Sequence, residues 1–141
     1  DISIEGDDAE TGIDPSMEKL IAQIDADTAL VMVQYPDFFG RVIDYKPLIE
    51  AAHNAGALVA VAVNPTALGV LTPPGEIGAD IVFGEGQPLG IPLSYGGPYL
   101  GIFAVTNDLL RKISGRLVGE TVDNAGTVSY THLTLPTNYS V

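Results

Sequence analysis

Short apolar runs recur along the chain: ALVMVQY (29–35), ALVAVAV (57–63), DIVF (80–83) and YLGIFAVT (99–106). The first two are continuously apolar instead of alternating, which is how strands read when a parallel sheet buries both of their faces. Helical patterns lie between them. DPSMEKLIAQI (14–24) offers Asp14 as N-cap and Pro15 at the first helical position, then an apolar stripe of Met17, Leu20, Ile21 and Ile24. DYKPLIEAAHNAG (44–56) repeats the scheme, with Asp44 as cap, Pro47 in the first turn and Gly56 as the stop. TNDLLRKISG (106–115) predicts a third helix whose last turn places Arg111 and Lys112 favourably against the helix dipole. Helices alternating with strands predict an α/β fold with a mostly parallel sheet and flanking helices. The first ten residues and everything after Gly119 carry little periodicity.

Composition narrows the partners. The 141 residues hold 18 acidic and 6 basic side chains, a net charge of −12, which disfavours nucleic acid and anionic membrane surfaces. No apolar run approaches the ~18 residues of a membrane span. Without cysteine there is no disulfide framework, thiolate nucleophile or zinc-thiolate centre, which fits a cytoplasmic location. The acidic opening DISIEGDDAE does not resemble a signal peptide, and the start at Asp1 reads as a cut inside a longer chain.

The stretch GADIVFGEGQPLGIPLSYGGPYLGIFAVT (78–106) carries seven glycines but no lysine, arginine, histidine or cysteine. A dinucleotide fingerprint fails there: Gly84, Gly86 and Gly90 are spaced G-x-G-x-x-x-G, and Pro88 and Pro92 occupy the place of a helix start. Glu85 is its sole acid before Thr106 apart from Asp80, and a lone loop carboxylate reads either as a general base or, more simply, as an acceptor for backbone N–H groups. Ser94 has no nucleophile-elbow context. His53 and His132 lack partners at metal-ligand spacing, and Asp7, Asp8 and Glu10 read as a solvated cluster. Phe38, Phe39 and Gly40 follow the first strand, at the edge where parallel sheets collect ligands. Two readings stay open for them: a ligand loop, or a hydrophobic plug between the sheet and a neighbouring helix.

ALVMVQYPDFFG (29–40), the long run from AHNAG to YLGIFAV (52–105) and GRLVGETVD (115–123) resemble the P-protein of the glycine cleavage system, glycine dehydrogenase (decarboxylating). The likeness is closest to subunit 1 of the two-subunit bacterial form and covers roughly 13–123, with GEGQPLG…SYGGP and GRLVGET its most specific pieces. The resemblance implies a fragment of the large domain of a fold-type-I transferase dependent on pyridoxal phosphate (PLP). It implies a reaction in which glycine is decarboxylated, with PLP as electron sink, and its aminomethyl group passes to the lipoyl arm of the H-protein.

Laid over the family's catalytic half, Gln87 and Pro88 fall where the PLP lysine would be, and Val61 falls near the aspartate that faces the pyridine nitrogen. Neither Gln nor Pro forms an imine, and Val does not stabilise a pyridinium. The resemblance therefore implies a non-catalytic half or subunit, inactive alone. PLP would be carried by the partner, P-protein subunit 2, and no catalytic, cofactor-binding or metal-ligating residue is assigned here. The loop is expected to pack, its glycines admitting a neighbouring backbone, and to face that partner. The alternative is a non-catalytic α/β ligand-binding or scaffolding domain. The expected organisation is an acidic lead-in (1–12), a partial large domain (13–127) and a non-native tail (128–141), since VSYTHLTLPTNYSV departs from the family and resembles translated adapter read-through.

Overall fold

The four apolar runs become strands β1 (Leu30–Tyr35), β2 (Leu58–Val63), β3 (Ile81–Glu85) and β4 (Gly101–Val105), joined in the order β1-β2-β3-β4. Both β1–β2 and β2–β3 pair in parallel, with Val33 opposite Val61 and Val61 opposite Val82. These features come from a computed structural model that describes residues 16–122, 124–126 and 128–134. The chain divides into two compact units, one ending at Ala104 and the other beginning at Val105.

In the first unit, helices α1 (Met17–Ala22) and α2 (Lys46–Ala55) cover one face of the sheet. Leu48, Ile49 and Ala52 of α2 pack on Tyr35, Val59, Val61 and Val63, and the anticipated stripe Met17, Leu20, Ile21 and Ile24 closes over the same cluster. The cap of α1 is Ser16, whose hydroxyl accepts from the Lys19 N–H (3.3 Å). The expected cap Asp14 and the expected first helical residue Pro15 lie outside the described residues, as does the 1–12 lead-in. At α2 the cap position belongs to Tyr45, but Asp44 still satisfies a first-turn donor, accepting from Lys46 N (3.1 Å). Gly56 ends α2 at φ 87°, the left-handed geometry that makes glycine the preferred stop.

The opposite face differs from expectation. A continuous apolar run predicts burial on both sides, yet β1 alternates, with Leu30 44% and Met32 61% exposed. Their neighbour across the pair, Leu58, is also exposed, while Ala60 beside Met32 is buried. Among the described residues no helix covers this side, so the burial expected of β1 is met on one face only.

Gly84 is the tightest backbone approach in the sheet. It pairs with Val63, and a Cβ added there would collide with the Val63 carbonyl oxygen, a backbone atom with little room to yield. Gly84→Ala is therefore expected to destabilise the folded parent protein by about 3 kcal/mol, the upper range for overpacking. Gly90→Ala, facing open space, serves as a control for backbone strain alone. Equal denaturant midpoints for wild type and Gly84→Ala would remove the argument.

In the second unit, Asn107–Lys112 forms a 3₁₀ helix instead of the expected α-helix. It has no buried residue, so no packed stripe favours the longer α-helical pattern. After it, β5 (Arg116–Val122) and β6 (Val128–Thr134) pair as an antiparallel hairpin, from Arg116 opposite Thr134 to Val122 opposite Val128. The segment thought aperiodic after Gly119 thus forms strands. Residues 135–141 of the tail lie outside the described set.

Candidate functional site

Parallel pairing places the C-terminal ends of β1, β2 and β3 on one edge, where open α/β sheets bind ligands. Three loops leave that edge within the first unit.

The loop after β1 is built around Asp37. One carboxylate oxygen accepts from the N–H groups of Phe39 (2.9 Å) and Arg41 (2.7 Å), and the other accepts from the Arg41 guanidinium Nε (2.6 Å). Burial pushes the carboxyl pKa up, but the Arg41 backbone N–H, its guanidinium and the Phe39 N–H together outweigh burial and hold Asp37 below its ordinary value. A lowered folded-state pKa contributes stability above the unfolded carboxylate pKa, and that contribution disappears as pH falls through the folded value. The loop should accordingly keep its shape at neutral pH and loosen in acid, at a pH below the ordinary carboxylate midpoint. NMR titration of Asp37 in the parent protein checks this, and an unshifted or raised midpoint would refute it.

Phe38 and Phe39 meet edge-on (centroids 5.5 Å apart), and the Arg41 guanidinium sits 5.3 Å from the Phe39 centroid. With Phe38 83% and Phe39 63% exposed, neither is the plug between sheet and helix that sequence left open. They instead rim an open cleft of ≈ 550 Å³ shared with Met17, Leu20, Val42 and Tyr45. Burial first, then the Asp37 charge, raises the Tyr45 phenol pKa against the opposing pull of Arg41, so it stays a donor to the Gln34 carbonyl (3.2 Å).

After β2, Asn64 accepts from Thr66 through both its N–H (3.1 Å) and its hydroxyl (2.7 Å), starting the 3₁₀ turn Pro65–Gly69. That turn touches the next one, Gln87–Leu89, which opens the glycine-rich loop. There Glu85 takes the simpler of its two anticipated roles: one carboxylate oxygen accepts from Gln87 N (2.9 Å) and Leu100 N (2.8 Å). Gly86 N donates to the Leu100 carbonyl (2.6 Å), and the Gln87 side-chain amide donates to the Ile91 carbonyl. The loop is thus closed at its base by its own atoms. The close approaches at Gly84 and Gly86 are to Val63 and Leu100 of the same chain.

The residues do not fit a PLP site. Lys19 lies on α1, Lys46 starts α2 and Lys112 belongs to the second unit, so the loop between β3 and β4 offers no amine. Val61 is fully buried under α2. No cluster of His, Cys, Asp or Glu suited to a metal exists among the described residues. His53, expected at the surface, is half-exposed but tied: its Nε2 lies 2.9 Å from Asp80 Oδ2, the oxygen that also accepts from Val59 N (2.8 Å). This pairing across 27 residues joins α2 to the β2–β3 entrance and had no signal in sequence spacing. Nor did the backbone of Ser94 (φ 25°) and Tyr95 (φ 51°), the two described non-glycine residues in the left-handed region.

A mostly parallel sheet with helices on one face and a lysine-free, glycine-rich loop at its ligand edge is the architecture of part of a fold-type-I large domain. Comparison with known proteins identifies which. A family model described as glycine cleavage system P-protein matches residues 3–138. A protein named probable glycine dehydrogenase (decarboxylating) subunit 1 from Desulforamulus reducens is 58% identical over 108 residues, covering 77% of this chain and 24% of that protein. Its namesake from Azorhizobium caulinodans is 48% identical over 129 residues, covering 89% and 29%. A crystal structure of glycine decarboxylase (P-protein) of the glycine cleavage system, in inhibitor-bound form, superposes with TM-score 0.72 at 44% identity, over 79% of this chain and 25% of that one. The chain belongs to the glycine cleavage system P-protein family. It spans about a quarter of the length of these curated relatives. Among the described residues no helix is long and apolar enough to cross a membrane.

Proposed function

We propose that the chain is part of the non-catalytic subunit of a two-subunit glycine decarboxylase. In this reading it supports PLP-dependent decarboxylation of glycine, and transfer of the aminomethyl group to the lipoyl group of the H-protein, in the cytoplasm. PLP is held by the catalytic partner, subunit 2. The observation that carries the reading is the β3–β4 loop, which holds Gln87 and Pro88 where the resemblance implies a cofactor lysine in a catalytic half and is braced through Glu85. Val61 supports it from the neighbouring strand, since a buried aliphatic side chain has nothing to offer a pyridine nitrogen.

The test uses the parent subunit purified alone and with subunit 2. Borohydride reduction in the presence of PLP should trap no phosphopyridoxyl group on Lys19, Lys46 or Lys112. Glycine-dependent CO2 exchange with lipoylated H-protein should be absent from the lone subunit and appear when subunit 2 is added. A trapped lysine on this chain, or exchange without the partner, would assign it to the catalytic half.

We propose separately that residues 128–141 are foreign to the parent chain, on the strength of their composition, although the family model's match runs through residue 138. Sequencing the parent gene past Thr127 decides this: a native reading frame encoding SYTHLTLPT would overturn it.

A further inference from the structure

We draw no further inference here: the strongest candidate, the exposed apolar tip of the glycine-rich loop around Tyr95, carries nothing because the chain spans about a quarter of its relatives' length and nothing in the structure shows what covers that surface.

Discussion

Expressed alone, the 141-residue chain should not yield a monodisperse monomer with one sharp thermal transition. Its core is one-sided. α1 and α2 bury Val59, Val61 and Val63, while Leu30, Met32 and Leu58 on the other face meet solvent. Among the described residues β1 is moreover an edge strand in the order β1-β2-β3-β4, with a row of backbone donors and acceptors open to pairing with another chain. An exposed apolar face next to an open strand edge favours association over solubility. Size-exclusion chromatography with light scattering should find oligomers or aggregates, and substitution of both Leu30 and Met32 by Lys should shift the population toward monomer. Lysines placed there add repulsion and polarity on the exposed face without touching the packed one. A soluble wild-type monomer with cooperative melting would show that one covered face suffices.

The gap between the β1 expectation and its structure shows what kind of information a pattern holds. A continuous apolar run records that both faces of a strand are meant to be covered, and it says nothing about whether the covering elements lie in the same stretch of chain. β2 fits the pattern well because it has strands on both sides and α2 above it. β1 (LVMVQY) is also largely apolar but has less cover. Helix ends were legible where one residue does one job: Gly56 stops α2 because the backbone there is left-handed. They were less legible where several polar residues compete, as with Asp14 and Ser16 before α1 or Asp44 and Tyr45 before α2. The hairpin β5–β6 escaped a search for helical period, although VSYTHLT is rich in the β-branched and aromatic residues that favour strands.

For the site, the absence of lysine from the loop can be read from residue types alone, and the acceptor role of Glu85 is one of the two roles the sequence offers. The features that distinguish this loop from a generic one are the bond from Leu100 back to Glu85, fifteen residues earlier, and the strained Tyr95. Neither leaves a trace in periodicity or composition. Long-range side-chain-to-backbone bonds depend on how the loop closes, and left-handed tyrosines have no sequence signature comparable to glycine's.

Val61→Asp should be strongly destabilising, and it bears directly on the non-catalytic role proposed above. Val61 is fully buried, flanked by Val33 and Val82 in the strand register and covered by α2. Apart from the phenols of Tyr35 and Tyr45, the buried cluster around Val61 is aliphatic, so a carboxylate placed there meets no cationic partner. It would have to be protonated or remain an unpaired charge in an apolar setting, and either state costs several kcal/mol. The expected loss is about 4 kcal/mol or more, measured as the denaturant midpoint of the parent subunit, against about 2 kcal/mol for Val61→Ala, which only opens a cavity. Raising the pH should deepen the deficit of Val61→Asp, because its folded-state pKa is raised above the unfolded value and the carboxyl must ionise where it is least solvated. Gln87→Lys, by contrast, sits in a part-buried loop and should fold, losing only the bond to Ile91. Combining the two supplies on paper both groups that the resemblance implies for a catalytic half while removing the fold that must present them; under the proposed function the double variant should neither hold PLP nor exchange CO2 without subunit 2. A folded, fully stable Val61→Asp protein would show that the strand face has polar surroundings that its packing conceals, and would leave the proposed non-catalytic role resting on the loop alone.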